Sequence, residues 1–372
     1  AHRRGRSGAP TGVDGGVGQS GDGGAVGFGF HEDHTPFFTI WRAEEILSMQ
    51  YGHIRAIDLF CGIGGNSWGA LKAGAEIVAG FDMWEVAGRV YRANFPRTRF
   101  YPYDLTALKE SDIRSLYEDL GPIDLLLASP ECTSHSLARG DKPQQEKSLN
   151  LSWCVWEFAR VFQPRWIIVE NVPALQQWQS YQAFLQTLRE QGGYYIRQEI
   201  LDASDFGVCQ RRKRLYIICD RETDPPETTP RTPEHIPVRN FIDLNGRYVY
   251  TPLYTPQRAR KTIERAERAF QALGRNATFL MVYYGSGPQW QTLDVPLRTI
   301  TTHDRFAIVR PDGNGSHEMR MLQPDELRAA MGFPEEFDLN VCPTRTDKVR
   351  LLGNAVCPPV MQAIVETLIR DQ

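Results

Sequence analysis

The sequence has few cysteines, no long apolar run and almost no excess of charge of either sign. Its seven cysteines form no CxxC pair, which argues against a disulfide framework or a zinc site and favours free thiols in a reducing, cytoplasmic compartment. No stretch approaches the roughly 18 apolar residues that a membrane helix needs, and no apolar block follows the arginines near the start of the chain. The sequence therefore predicts no metal, no membrane partner and no secretory signal.

The balance of charge leaves a nucleic-acid partner open. Lys and Arg total 42 and Asp and Glu total 45, for a net charge of −3. This argues mildly against bulk nucleic-acid binding, but an enzyme that acts on DNA needs a basic cleft and not a basic surface throughout. The 372 residues suffice for one large and one smaller domain, each with a core of its own.

Composition divides the chain into four parts. Residues 1–50 form a glycine-rich tail with few large apolar groups, which is expected to be largely disordered. Residues 51–221 alternate short apolar runs with helical patterns and predict the larger domain. A stretch rich in Pro and Thr then opens a small domain, residues 222–312, with an arginine-rich helix at 258–275. Residues 313–372 return to a helical pattern and are expected to rejoin the larger domain.

Five short apolar runs in the larger domain predict β-strands separated by helices. This alternation is typical of a doubly wound α/β fold with a mostly parallel sheet that is covered on both faces. Ligands bind beyond the carboxyl ends of the strands in such sheets, and the polar motifs of this chain directly follow these runs or enter one of them. The runs are Ile54–Phe60, Glu76–Phe81, Ile123–Ala128, Trp166–Glu170 and Leu215–Cys219.

A glycine-rich segment, DLFCGIGG at 58–65, ends the first predicted strand. Its glycines let the backbone approach a ligand closely, or they form a tight turn. Ser67 occupies the third glycine position of a G-x-G-x-x-G pattern, which disfavours a nicotinamide site. Asp82 ends the second strand, where a carboxylate can accept both hydroxyls of a ribose. Asp104 lies where it could receive an adenine amino group, although either acid alone is more often a solvated surface residue.

Two further motifs follow the next strands and carry reactive groups. In SPECTSHS, residues 129–136, Cys132 lies in a loop at the carboxyl end of a strand, which suits a nucleophile. Most free cysteines are instead small buried hydrophobes. Glu170 begins the motif Glu170-Asn171-Val172 at the end of a very apolar strand, so desolvation should raise its pKa and suit it to donate a proton. The alternative for Glu170 is a helix cap.

The segment QRRKR at 210–214 places four adjacent cations at the entrance of a strand. Because side chains alternate along a strand, Arg212 and Arg214 should share one face and Arg211 and Lys213 the other. One pair could serve an active site while the other meets phosphate. The alternative is a solvated basic face.

The order of these motifs resembles the cytosine-5 DNA methyltransferase family. Two later segments extend the resemblance, PLRTIT at 296–301 and GNAV at 353–356. The likeness runs from Ile54 to the end of the chain. It implies a Rossmann-like fold that binds S-adenosylmethionine, with residues 51–221 as the catalytic domain and 222–312 as a smaller target-recognition domain. The chain departs from the family pattern at four positions, which are Glu131 for Pro, Thr133 for Gln, His135 for Phe and Ala355 for Ser.

The resemblance also implies the chemistry. Cys132 would attack carbon 6 of a cytosine flipped out of the duplex, and Glu170 would hold or protonate N3. Arg214 and Arg212 would contact the flipped base and order the active-site loop. The implied S-adenosylmethionine contacts are Phe60, Gly62, Ile63, Gly64, Gly65, Asp82, Met83, Asp104, Leu105, Leu151, Asn354 and Ala355. The implied substrate contacts are Asn171, Val172, Gln210, Arg298 and Thr299.

The expected partner is double-stranded DNA. The protein is expected to be a monomer that is encoded by a bacterium, an archaeon or a phage, and to act on DNA of the nucleoid in the cytoplasm. The family context leaves room for a cognate restriction endonuclease. Two alternatives stay open, an RNA (tRNA) cytosine-5 methyltransferase and an inactive homologue that binds DNA without turnover. A nicotinamide oxidoreductase is disfavoured by Ser67. No code links the variable segment 222–295 to a target sequence.

Overall fold

The structure, a computed structural model, describes residues 54–130, 151–232, 234–285 and 287–370. The expectations for the tail 1–50 and for Glu131, Cys132, Thr133 and His135 lie outside these residues. Seven strands form the first sheet in the order β3-β2-β1-β4-β5-β7-β6, and β7 alone runs antiparallel to its neighbours. The strands are β1 Arg55–Leu59, β2 Glu76–Phe81, β3 Arg99–Tyr101, β4 Leu125–Ala128, β5 Trp166–Asn171, β6 Tyr195–Asp202 and β7 Lys213–Asp220.

Helices cover both faces of this sheet. Alternate residues of the central strands point into two separate cores, for example Ala56 into one and Ile57 into the other. The first core also holds residues of α1 and α2, and the second holds residues of α3, α4 and α5. Burial on both faces explains why the central strands are continuous apolar runs. The helices are α1 Gly65–Lys72, α2 Glu85–Asn94, α3 Glu110–Leu120, α4 Leu151–Phe162 and α5 Tyr181–Glu190.

The predicted doubly wound, mostly parallel α/β fold is confirmed. The five predicted strands are present, and no end is shifted by more than two residues. The edge strand β6 was not predicted, because it alternates polar and apolar residues and is only partly buried. The antiparallel direction of β7 was not predicted either. It brings the beginning of β7 to the carboxyl end of β5, where Glu170 pairs with Tyr216.

A second, antiparallel sheet has the strand order β10-β9-β11-β12-β8. One face packs on the arginine-rich helix α6, Arg260–Leu273, and the other joins the first core of the large sheet. The sheet continues to Met321, so the boundary predicted after residue 312 falls in the turn between two paired strands. The strands are β8 Thr251–Pro252, β9 Phe279–Val282, β10 Trp290–Thr292, β11 Phe306–Pro311 and β12 His317–Met321.

The chain then returns to the first sheet through α7 Pro324–Ala330, α8 Arg345–Asn354 and α9 Pro358–Arg370. A Cβ atom on Gly65 would lie 2.2 Å from the carbonyl oxygen of Val356, and one on Gly69 would lie 2.5 Å from that of Pro358. Real Cβ atoms do not approach so closely, so glycine at both positions lets α1 pack directly on the backbone that leads into α9.

One helical stretch among the described residues, Arg345–Arg370, is long and apolar enough to cross a membrane by length and composition. Polar residues interrupt this stretch, so it contains no continuous run of about 18 apolar residues. The stretch divides into α8 and α9, and 72% of its most apolar window is buried inside the protein. Its apolar residues are those of core helices that pack against the first sheet.

Candidate active site

The polar motifs meet at the carboxyl edge of the first sheet. The glycine loop after β1 contains three residues with left-handed backbone, Phe60 (φ 57°), Gly62 (φ 55°) and Gly64 (φ 92°). A Cβ atom on Gly62 would meet no atom within 4 Å, whereas one on Gly64 would lie 2.2 Å from the ring of Phe95. Gly62 therefore presents backbone to open space, and Gly64 allows close packing inside the protein.

Asp82 fixes this loop from the end of β2. One carboxylate oxygen accepts a hydrogen bond from the backbone N–H of Gly62 at 2.8 Å, and the other accepts from that of Trp84 at 2.8 Å. The intervening Met83 is 67% exposed. The structure thus brings together an open glycine, a carboxylate and an exposed apolar side chain, all of which were predicted to contact the cofactor.

The turn after α8 lies beside the same loop. The carbonyl of Val356 is in close contact with Gly65. The guanidinium of Arg350 on α8 lies 4.5 Å from the ring centroid of Trp84. Asn354 at the end of α8 is exposed and Ala355 is nearly buried. Three segments that are distant in sequence therefore converge at the predicted cofactor site.

Four other predicted cofactor residues are placed less directly. Asp104 accepts hydrogen bonds from the backbone N–H and hydroxyl of Thr106, at 3.0 and 2.6 Å, and so caps a short helix. Ile63 and Leu105 pack in the two cores of the first sheet. Leu151, the first residue of α4, is partly exposed.

A buried network under the glycine loop was not predicted. Asp58 accepts hydrogen bonds from the hydroxyl and N–H of Ser67, at 2.7 and 3.2 Å, and from the side chain of Asn66 at 3.3 Å. The Ser67 hydroxyl is also 2.8 Å from that of Tyr91. Burial raises the pKa of the Asp58 carboxyl to about 6, and the hydrogen bonds from Ser67 and Asn66 oppose the rise. The sequence feature that could have indicated this network is an acid, Asp58, inside an apolar strand.

We expect Asp58 to make the stability of the protein depend on pH. Because its pKa is raised on folding, its contribution is complete below its ordinary value near 3.8 and is lost as the pH rises through about 6. The free energy of unfolding of wild type, relative to the Asp58→Asn variant, should therefore fall by at most about 3 kcal/mol over that window. Urea titrations at several pH values would measure this difference. If the difference in unfolding free energy between wild type and Asp58→Asn does not change with pH, the pKa of Asp58 is not raised on folding.

Glu170 ends β5 and is 6% exposed. Its carboxylate lies 3.0 Å from Nε of Arg214. Burial raises the pKa of Glu170, and the charges of Arg214 and Arg212 only partly offset the rise. The pKa shift expected from the sequence is therefore present, with the same physical cause.

Asn171 connects the ends of β5 and β4. Its side-chain amide donates to the carbonyl of Pro130 at 3.1 Å, and its carbonyl oxygen accepts from the N–H of Val172 at 2.8 Å. Pro130 is the last described residue before the segment that contains Cys132. The chain therefore enters that segment directly beside the residue that follows Glu170.

The predicted alternation along QRRKR is confirmed. Arg212 and Arg214 face inward: Arg212 is 3% exposed, and the side chain of Arg214 is 17% exposed. Arg211 and Lys213 are exposed. The guanidinium of Arg212 donates to backbone carbonyls, while that of Arg214 faces Glu170.

Gln210 and Thr299 join the beginning of β7 to the PLRTIT segment. The side-chain carbonyl of Gln210 accepts from the N–H of Ile300 at 2.7 Å, and the Thr299 hydroxyl donates to the carbonyl of Arg211 at 2.8 Å. Arg298 instead donates to the carbonyl of Pro288 at 2.7 Å, in the loop between β9 and β10. Of these three predicted substrate contacts, Gln210 and Thr299 thus lie near Arg212, and Arg298 reaches toward the second sheet.

The described part of the chain contains no group of three or more His, Cys, Asp or Glu side chains that could hold a metal ion. Six of the seven cysteines are described, and all six are buried. Burial raises the pKa of each, for example to about 11 for Cys154 and Cys357 and to about 12 for Cys209.

The strand order of the first sheet, with a glycine loop after β1 and an acid at the end of β2, defines a Rossmann-like methyltransferase fold. The family model for C-5 cytosine-specific DNA methylases matches residues 54–370, and the chain belongs to this family. It is accordingly a DNA cytosine-5 methyltransferase.

Individual relatives agree with this membership. The Type II methyltransferase M.NgoBI of Neisseria gonorrhoeae is 27% identical over 315 residues, which are 83% of this chain and 91% of that protein. The Type II methyltransferase M.HindV of Haemophilus influenzae is 27% identical over 331 residues, 85% of this chain and 96% of that protein.

Solved structures support the fold. The methyltransferase EhMeth of Entamoeba histolytica superposes with a TM-score of 0.62 at 20% identity, over 86% of this chain and 98% of that one. A DNMT2 variant of Spodoptera frugiperda gives a TM-score of 0.60 at 18% identity, over 85% and 99%. At this level of identity the likeness bears on the fold alone.

Proposed function

We propose that the chain transfers a methyl group from S-adenosylmethionine to carbon 5 of a cytosine flipped out of double-stranded DNA, with Cys132 as the nucleophile. The observation that carries the proposal is the buried Glu170–Arg214 pair, at the same sheet edge as the open glycine loop. A buried acid with a raised pKa, held by a guanidinium, is suited to donate to a ring nitrogen.

The residues present fit S-adenosylmethionine. Gly62 leaves open space, Asp82 offers carboxylate oxygens beside it, and Met83 exposes an apolar side chain. We assign the ribose to Asp82 and the adenine to Met83, with Asp104 near the adenine amino group. The exposed Asn354 would close over the methionine end. The bound group supplies an electrophilic methyl.

The chain's own residues would perform the remaining steps. The Cys132 thiolate forms a bond to carbon 6 while Glu170 donates a proton to N3, and electron density collects at carbon 5, which takes the methyl group. Arg214 holds the Glu170 carboxyl in place. Loss of the carbon 5 proton to solvent then expels the thiolate, and the N3 proton returns to Glu170.

The other cysteines support the choice of Cys132. The thiolate is the reactive form of cysteine, and burial in apolar surroundings disfavours it. The six described cysteines are all buried with raised pKa values. The seventh is Cys132, whose segment begins beside Asn171.

The substrate and setting follow from the family and its relatives. Two relatives are named Type II methyltransferases, which favours double-stranded DNA as substrate, action in the cytoplasm and a cognate restriction endonuclease as a partner. We propose that the chain acts as a monomer. The alternatives, an RNA methyltransferase and an inactive homologue, are decided by experiment.

Methyl transfer from labelled S-adenosylmethionine to duplex DNA and to folded RNA would test this function directly. We expect label in DNA. A readout specific for 5-methylcytosine should locate the modified base at one short sequence. Mapping 5-methylcytosine in DNA from a methylation-free host that expresses the chain would identify that sequence. Label in RNA alone, or binding of DNA with no transfer, would refute the proposal.

We also propose that the second sheet and α6 recognise the target. The arginines of α6 differ in their partners. Arg260 pairs with Glu264, whereas Arg265 and Arg268 both donate to the neutral side chain of Gln289, at 2.8 and 3.0 Å. The latter two therefore keep their net charge available for phosphate.

Replacing Arg265 and Arg268 together by Gln should weaken DNA binding and lower the slope of log affinity against log salt by about two, since each phosphate contact contributes roughly one. Cofactor affinity should not change. Fluorescence anisotropy at several salt concentrations measures the slope. The matched control is Lys72→Gln with Arg189→Gln, two cations on helices of the first sheet. Equal slopes for wild type and the α6 variant would count against this surface.

A further inference from the structure

Arg212 lies at a junction of three backbone segments. Its guanidinium donates to the carbonyl of Ile300 at 3.1 Å, to that of Gly353 at 2.9 Å and to that of Ala355 at 3.0 Å. The backbone N–H of Arg212 donates to the Asp202 carboxylate at 2.9 Å. The side chain is 3% exposed, so these bonds form away from water.

The acceptors explain why an arginine can be buried here. Gly353 and Ala355 are at the carboxyl end of α8, where the last carbonyls of a helix lack partners within the helix. A cation at this end is favoured by the helix dipole and by those carbonyls. The guanidinium spreads its donors over separate nitrogens and so reaches carbonyls on two segments, whereas the three donors of a lysine ammonium share one nitrogen.

The two segments that Arg212 binds are in direct contact. A Cβ atom on Gly353 would lie 2.4 Å from the carbonyl carbon of Thr301, so glycine is required for this approach. One segment continues to Asn354 and Ala355, which we assign to the cofactor. The other follows Thr299, which is bonded to the backbone beside Arg212.

Arg212 also shares a strand face with Arg214. Arg214 follows it by two residues and holds Glu170 at 3.0 Å. The backbone between them is paired with β6, where Asp202 lies opposite Lys213. A shift of the turn at Asn354 would therefore be transmitted through Arg212 to the strand that places Arg214.

We propose that Arg212 is a positioning residue that couples the cofactor turn, residues 353–355, to the Glu170–Arg214 pair, and that it does not touch the base. The inference rests on the function proposed above. It replaces the base contact that the family resemblance implied for Arg212. Cofactor occupancy at the turn fixes the carbonyls, the carbonyls fix Arg212, and Arg212 fixes the beginning of β7.

The test compares Arg212→Lys and Arg212→Met with Arg214→Lys. S-adenosylhomocysteine binding is measured by calorimetry without DNA, and the methyl-transfer rate is measured in a single turnover at saturating cofactor and DNA. Both Arg212 variants should weaken S-adenosylhomocysteine binding by about tenfold or more, since charge-assisted bonds to buried carbonyls are lost. Their single-turnover rate should fall by a smaller factor. Arg214→Lys should show the opposite split, with a slower step and S-adenosylhomocysteine binding within about twofold of wild type.

The matched control is Arg221→Met, an exposed arginine that follows the far end of β7 and donates to the carbonyl of Gln163. It should leave both measurements unchanged. If the Arg212 variants bind S-adenosylhomocysteine as wild type does but lose the single-turnover rate, Arg212 acts at the base and the proposal is wrong.

A second variant keeps the test decisive if the Arg212 variants do not fold. Gly353→Ala leaves Arg212 intact but pushes the Thr301 backbone away from the turn. It should weaken S-adenosylhomocysteine binding more than it slows the single turnover, and unchanged binding would overturn the coupling. Wild-type protein that binds no S-adenosylhomocysteine would instead refute the proposed function, a result that depends on no variant.

Discussion

Cys132→Ala is expected to abolish methyl transfer while DNA affinity stays within about twofold of wild type, because the thiolate supplies the covalent step and affinity comes from phosphate and groove contacts. Alanine offers no nucleophile to carbon 6, and the six described cysteines are buried thiols with raised pKa values. Transfer of labelled methyl groups and fluorescence anisotropy with duplex DNA measure the two quantities.

A covalent trap separates the nucleophile from other causes of lost activity. Fluorine at carbon 5 of the target cytosine cannot leave as a proton does, so the bond between Cys132 and carbon 6 should persist after methyl transfer. Wild type and the control Cys342→Ala, which changes a buried thiol in the core, should form a complex that survives denaturation. Cys132→Ala should form none. Active wild-type enzyme that leaves no trapped complex would remove Cys132 from the mechanism.

The sequence predicted well what local pattern controls. Two-sided burial makes the central strands apolar runs, and the residues that follow them share one sheet edge. The desolvation of Glu170 followed from the apolar strand that it ends. The inward position of Arg212 and Arg214 followed from the alternation of side chains along a strand.

What the sequence did not predict depends on partners that are distant along the chain. The carbonyls that bind the Arg212 guanidinium lie 88 to 143 residues away, at Ile300, Gly353 and Ala355. Motif resemblance has no information on such bonds. The domain boundary predicted after residue 312 also depends on a pairing that the sequence does not show, since it falls between β11 and β12. The β11–β12 turn at 312–316 is a tight hairpin, and its Asp, Gly and Asn residues look like a boundary until the pairing is known.

The arginine-rich helix illustrates a limit of counting charges. The sequence offers a row of cations that suggests phosphate binding. In the structure, Arg260 and Arg275 each pair with a glutamate, so part of the row is neutralised within the protein. Arg265 and Arg268 instead donate to the neutral side-chain amide of Gln289. The salt prediction rests on these two arginines.

Glu170→Gln is expected to slow methyl transfer by about 10²–10⁴-fold, the usual range for the loss of a general acid. The amide is nearly the same size and can still donate a hydrogen bond, but it cannot deliver a proton to N3. Single-turnover rates at saturating cofactor and DNA isolate this step from binding. The matched control is Glu199→Gln, a mostly buried glutamate on β6 that accepts from the N–H of Thr228 and lies beyond β7 from Glu170. It should retain the wild-type rate.

The pH profile distinguishes proton donation from simple packing. The acid acts in its protonated form, and burial raises the pKa of Glu170 against the opposing charges of Arg214 and Arg212. Because the active form needs protonated Glu170 and the Cys132 thiolate together, the kcat/KM of wild type should rise with pH below the lower of the two pKa values and fall above the higher one. Glu170→Gln has no proton to lose, so its profile should keep only the rising limb. If the falling limb persists in Glu170→Gln, or if the variant turns over at a near-normal rate, another group donates the proton and Glu170 serves only to hold Arg214 at the end of β5.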